Sequence, residues 1–171
     1  MKTLILLRHA KSSRDDPRLA DAERPLAPRG RKAVPKVGRA LGEGPGRPDL
    51  VLCSAARRAV ETWEGLAPQL GAEVPAKLLK SLYMASPSRL LATVRRAPDA
   101  VDRLLLVGHN PGLEELALRL AGSGERAALE RMAVKFPTGA FAELRFAAAR
   151  WADIGPGGGE LRRFVRPRDL D

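Results

Sequence analysis

Only two histidines, one cysteine and one tyrosine occur among the 171 residues, and aromatic residues make up 4% of the chain. The single cysteine, Cys53, excludes an internal disulfide. Its place inside an apolar run makes it a small buried hydrophobe. No cysteines, histidines or carboxylates stand at metal-ligand spacing, so neither a metal nor any other cofactor is implied. A Gly-rich nucleotide-phosphate loop is also missing. The apolar runs fall far short of the ~20 residues that span a bilayer, so no membrane association is expected. The opening Met-Lys-Thr-Leu-Ile-Leu-Leu is broken by Arg8, His9 and Lys11, which reads against a secretory signal and, with the lone cysteine, for a cytoplasmic protein.

The charge is one-sided: 30 Lys+Arg against 20 Asp+Glu, a net charge of +10. The basic residues are scattered, and no basic motif interleaved with aromatics appears, so nucleic acid is not the expected partner. A small anionic substrate or an acidic protein suits the charge better, through electrostatic steering. The length suits one domain spanning residues 1–171, and few exposed apolar stripes are evident, so a monomer is expected.

Two apolar runs carry the main signal. Residues 4–7 are Leu-Ile-Leu-Leu and stop at Arg8-His9; Leu104-Leu-Leu-Val-Gly stops at His109. Short apolar runs read as buried strands, and the carboxyl ends of strands in open α/β sheets are where ligands bind. Both histidines of the chain therefore fall at strand ends, which points to one shared site.

The remaining elements alternate. Strands are expected over 3–8, 50–53, 76–79 and 103–107, and helices over 29–41, 55–70, 86–96 and 110–120. Ser54, Ser86 and Asn110 stand where N-caps would, with Pro87 and Pro111 at first helical positions. Pro35 falls inside the first helix, where it sits in the early turns or kinks it. Residues 12–28 read as a long loop. Residues 140–146 and 160–165 alternate apolar and polar and read as two antiparallel strands around the glycine run at 155–159; the segment before them reads as a loop. Alternating β and α units predict a three-layer α/β/α sandwich with a mostly parallel central sheet.

At the strand ends stand Arg8-His9, Ser54 with Arg57 and Arg58, and His109, with helix starts behind them. Arginine forks and helix N-termini hold phosphate. A histidine beside two arginines has its pKa pushed down and stays neutral and nucleophilic near pH 7, while a second histidine can donate to a phosphoryl oxygen. This is the equipment of a phosphoryl-transfer site built from side chains.

Three ordered segments resemble the motifs of the histidine phosphatase (phosphoglycerate mutase-like) superfamily: Leu7-Arg8-His9-Ala10-Lys11-Ser12, Ser54-Ala-Ala-Arg-Arg58-Ala-Val-Glu-Thr62 and Val107-Gly108-His109-Asn110. The form Arg-His-Ala-Lys-Ser, with Arg24-Pro25-Leu26 and Arg29-Gly30 downstream, is similar to its SixA branch, the phosphohistidine phosphatases. The resemblance implies a phosphoglycerate mutase-like fold in which His9 attacks phosphorus and carries a phosphohistidine intermediate. It implies that Arg8, Arg58 and His109 bind the non-bridging oxygens. Arg58 fits that role because it stands four after Ser54; Arg57 reads as a solvated surface charge. Lys11 and Ser12 either line the phosphate pocket or simply start the loop.

Two departures stand out. The signature glycine is Ala10. The stretch from Lys80 to Pro87, where mutase-like members carry an acid for an alkoxide leaving group, has no carboxylate. A phosphoramidate nitrogen needs less acid help, so the leading substrate is a phosphorylated protein bearing phosphohistidine, for example on a phosphotransfer domain. Two alternatives are a phosphatase of small phosphate esters drawing its acid from Asp15, Asp16 or Asp21, and a non-catalytic phosphate-binding module. The three aspartates read first as solvated or capping residues. Thr62 reads as a helix-packing residue, and so do Trp63 and Trp151 as core residues. Glu114 and Glu115 favour a helix dipole. Tyr83 stands between core and substrate mouth, and Thr138-Gly139 is left outside the site.

Overall fold

The computed structural model describes residues 1–44, 46–71 and 73–170. In chain order the elements are β1 (Lys2–Arg8), α1 (Pro28–Gly42), β2 (Leu50–Ser54), α2 (Arg57–Leu66), β3 (Ala76–Leu79), α3 (Pro87–Arg95), β4 (Arg103–Gly108), α4 (Gly112–Leu120), β5 (Ala121–Gly124), α5 (Arg126–Val134), β6 (Phe141–Phe146) and β7 (Gly159–Val165). Among the described residues the strands form one seven-stranded sheet in the order β3-β2-β4-β1-β6-β7-β5. The β1–β4, β2–β3, β2–β4 and β5–β7 pairs are parallel, and β6 runs antiparallel to both β1 and β7. The expected mostly parallel sheet is what forms.

Strand periodicity explains the layers. Side chains alternate faces along a strand, so a run such as Leu-Ile-Leu-Leu must be covered on both sides. Leu4, Leu6, Leu104 and Leu106 pack with Leu90, Leu116 and Met132 from α3, α4 and α5. Ile5, Leu7, Leu105 and Val107 pack with Val34, Val37, Ala59 and Leu66 from α1 and α2. The sheet is thus the middle layer of three.

Several expectations need correction. Ser54 does not cap α2: the helix begins at Arg57 after Ala56, while the Ser54 hydroxyl accepts from the Ala56 amide at 3.3 Å and faces His109. The α-helix ends at Leu66 and continues to Leu70 as a 3-10 turn, since Pro68 has no N–H for the α ladder. Asn110 is likewise not a cap; α4 follows Pro111, and the Asn110 amide donates to the Phe136 carbonyl at 2.9 Å. Pro35 stands well inside α1 rather than in its early turns. The segment read as a loop before β6 holds both β5 and α5. Both are weakly written in sequence: β5 is Ala-Gly-Ser-Gly with no buried residue, and α5 buries only Ala128 and Met132. Ser86 does cap α3, accepting from the Arg89 amide at 3.2 Å.

Candidate active site

Strands β1, β2 and β4 run parallel, with Arg8 opposite Gly108 and Cys53 opposite Val107. Their carboxyl ends therefore deliver Arg8-His9, Ser54 and His109 to one edge of the sheet. The His9 amide donates to the Gly108 carbonyl at 3.1 Å, and the Gly139 amide donates to the Arg8 and His9 carbonyls at 3.1 and 3.0 Å. Gly139 adopts φ +79°, a conformation glycine takes without the usual Cβ penalty. Thr138-Gly139, left outside the site by the sequence, thus braces it.

His9 is buried, and its Nδ1 lies 2.8 Å from the Ala10 carbonyl oxygen. A carbonyl only accepts, so Nδ1 carries the proton and Nε2 presents its lone pair. Arg58 Nε donates toward that Nε2 at 3.4 Å. Burial, more than any charge, pushes the His9 pKa down to about 3; His109, Arg58 and Arg8 add to the drop, and the Ala10 carbonyl opposes it. His109 falls to about 4, again chiefly by burial and then by Arg58. The expected neutral state of His9 is present, but desolvation sets it and the arginines contribute less.

The two imidazole centroids are 5.1 Å apart. His109 Nε2 is 2.7 Å from the Ser54 hydroxyl. Arg8 is anchored through Nη1 to the Phe136 carbonyl at 3.0 Å. Among the described residues, Arg8 Nε and His109 Nδ1 are buried without a hydrogen-bond partner. Buried polar groups are normally paired; Arg8 Nε can only donate, and His109 Nδ1 donates in the tautomer whose Nε2 accepts from the Ser54 hydroxyl. Arg8, His9, Arg58 and His109 line one cavity of about 240 Å³, together with Lys11, Ser12, Asp21, Asn110 and Thr138. All six site residues expected from sequence meet there.

Asp21 is the residue the sequence undervalued. The 3-10 turn Asp21–Glu23 in the long loop brings it over Arg58. Its carbonyl accepts from Arg58 Nη1 at 2.7 Å and its carboxylate from Nη2 at 3.0 Å. Tyr83 donates its hydroxyl to the same carboxylate, and Arg24 adds an ion pair at 3.1 Å. The Tyr83 hydrogen bond, then Arg58 and Arg24, hold the Asp21 carboxyl down at about 2. Tyr83 is thereby placed at the mouth, its ring edge-on to His109 at 5.4 Å. Asp15 is exposed, and Asp16 is tied to Arg18 on the surface. A carboxylate three before Arg24 was the available signal for Asp21, since that spacing sets up a local pair.

Thr62 does more than pack. Its hydroxyl accepts from the Ala10 amide at 3.0 Å and donates to the Arg58 carbonyl at 2.7 Å. It ties the turn carrying His9 to the helix carrying Arg58. Arg57 points to solvent and pairs with Glu61 at 3.0 Å, as expected. Among the described residues, no group of three His, Cys, Asp or Glu side chains could hold a metal ion.

Residues 4–83 match the model of the histidine phosphatase superfamily (branch 1). The protein Rv1276c of Mycobacterium tuberculosis is 42% identical over 164 residues, covering 95% of this chain and all of that protein. A chloroplastic protein of Arabidopsis thaliana, At3g52155, is 32% identical over 180 residues, covering 97% of this chain and 78% of its own length. A Nakamurella multipartitia structure described as phosphohistidine phosphatase SixA superposes with a TM-score of 0.84 at 28% identity, over 97% of this chain and 96% of that one. A SixA solved with tungstate shares the fold, with a TM-score of 0.78 at 22% identity over 99% of both chains. The chain belongs to the histidine phosphatase superfamily and is a phosphatase. Within the superfamily its place is the SixA-like branch.

Proposed function

We propose that the protein hydrolyses protein phosphohistidine, without a metal, through a covalent intermediate on His9. The observation that carries the mechanism is the His9 tautomer: Nδ1–H is fixed on the Ala10 carbonyl, and Nε2 faces Arg58 across the cavity. Nε2 attacks phosphorus as the bond from phosphorus to the leaving nitrogen breaks, and the leaving imidazole takes up a proton from solvent. Water then attacks the phosphoryl group, its proton passes to the released phosphate, and the electron pair of the broken bond returns to Nε2. Arg8 Nε, Arg58 and His109 Nδ1–H donate to the three equatorial oxygens, where charge builds up in phosphoryl transfer. The Ser54 hydroxyl, donating to His109 Nε2, keeps the proton on Nδ1.

The missing acid supports this substrate class. Among the described residues Asp21 is the one carboxylate lining the cavity, and its pKa of about 2 keeps it ionised. An alkoxide leaving group would need a proton donor there; the imidazole of phosphohistidine takes its proton from solvent at the ring nitrogen not bonded to phosphorus and leaves neutral, without an acid from the protein.

The test compares a phosphohistidine protein with a simple alkyl phosphate, using wild type and His9→Ala in excess chelator. The expected result is fast turnover of the phosphohistidine alone, abolished in His9→Ala and indifferent to chelator. Faster turnover of the alkyl phosphate would move the assignment to small esters.

A further inference from the structure

A second cavity, of about 440 Å³, opens beside the catalytic one and shares Arg8, Lys11 and Thr138 with it. Arg29, Lys135, Arg166 and Arg168 complete its cationic wall, and no acidic residue lines it. It continues into a third cavity of about 590 Å³ through Arg29, Lys135, Arg166 and Arg168, where Glu130 is the one acid. The three together form a trough leading away from His9. Lys11, Arg29, Lys135 and Arg168 are exposed and make no ion pair with an acidic side chain among the described residues, while Arg166 is held by Asp169 at 2.9 Å.

These cations are not placed for stability. Arg29 lies in the first turn of α1, which carries no acidic residue, although the helix dipole there favours negative charge. A local rule broken without a compensating contact marks a functional position. The trough is lined by no aromatic residue, so it lacks the stacking platform that single-stranded nucleic acid uses. Its extent over two joined cavities exceeds what a lone phosphate occupies. Guanidinium forks fit carboxylates in pairs.

We propose that this trough is a docking subsite for acidic side chains that flank the phosphohistidine of a protein substrate. The proposal rests on the phosphohistidine reading above and adds to it how the protein substrate is held: Asp and Glu side chains pair with Arg29, Lys135 and Arg168 while the phosphoryl group reaches His9.

The Arg29→Glu/Arg168→Glu double variant tests it, since neither residue contacts the catalytic cavity. With an acidic phosphohistidine protein, KM is expected to rise tenfold or more with kcat unchanged. Turnover of inorganic phosphoramidate, which is too small to reach the trough, is expected to stay within twofold of wild type. Equal losses on both substrates, or no loss on either, would overturn the proposal. A second arm needs no turnover: binding of a hexaglutamate peptide by calorimetry at low and high salt. Salt-sensitive binding by wild type, weakened tenfold in the variant, supports the subsite even if phosphohistidine proves not to be the substrate. No binding by wild type, or pyrophosphate binding more tightly than the peptide through the same arginines, overturns it.

Discussion

The Arg58 guanidinium grips Asp21 twice, Nη1 on its carbonyl at 2.7 Å and Nη2 on its carboxylate at 3.0 Å. The same guanidinium faces His9 through Nε. A phosphoryl dianion entering the cavity must share Arg58 with a carboxylate already there. Asp21 thus steadies the arginine and at the same time weakens its pull on phosphate.

Replacing Asp21 by Asn keeps the carbonyl contact and removes the charge. Orthophosphate should then inhibit at a concentration lower by a factor on the order of 3–10, the scale of one screened charge at a half-exposed site. Turnover of phosphohistidine should survive. A hundredfold loss of kcat would instead make Asp21 the acid and favour small esters as substrates.

Thr62 links the two halves of the site, so Thr62→Val should damage both stability and rate. The isosteric change leaves the buried Ala10 amide without its acceptor, a loss of about 1–3 kcal/mol. Denaturant unfolding should show that loss, and kcat should fall further than KM changes, because the His9 turn loses its tie to Arg58.

Both histidines are neutral in the fold, with pKa values of about 3 and about 4 against an ordinary 6.5. Between pH 6.5 and 4 the unfolded chain binds protons that the folded one refuses, so stability must fall as the pH is lowered through that window. Each histidine contributes up to about 1.4 kcal/mol per pH unit there. Unfolding midpoints at pH 7 and pH 4.5 should differ clearly for wild type and by about half as much for His9→Gln, where His109 still carries its share. An equal acid loss in that variant would assign the effect to other groups.

Glu143 is buried in β6 between Arg103 at 3.1 Å and Arg163 at 3.3 Å. Removing one partner of a buried network leaves uncompensated charge, so Glu143→Ala should cost about 3 kcal/mol or more. Activity per folded molecule should be unchanged, since the residue lies outside the catalytic cavity.

The parts of this molecule legible in sequence are those written by strong periodicity or by rare residues. Leu4 to Leu7 and Leu104 to Val107 had to be strands covered on both faces, and with two histidines in the chain their strand ends defined the site. What escaped lies in contacts made across the fold. Ser54 looked like a cap because its local context offers one, and only the tertiary structure shows its hydroxyl turned to His109. Glu143 is buried because arginines from β4 and β7 meet its carboxylate, contacts that the alternation along β6 does not record. Asp21 sits in a loop whose path over Arg58 depends on Tyr83 and Arg24, contacts with no periodic trace. The expectation that neighbouring arginines lower the His9 pKa holds in direction, but burial, invisible to a charge count, is the larger cause.

The covalent step on His9 is read out by rapid acid-free quench of the enzyme with labelled phosphohistidine protein, followed by peptide mass spectrometry. A phosphoryl group that is acid-labile and located on His9 at Nε2, formed within one turnover and absent in His9→Ala, is the result expected. Label on another residue, or full-speed turnover by His9→Ala with no labelled enzyme, would rule out catalysis through His9.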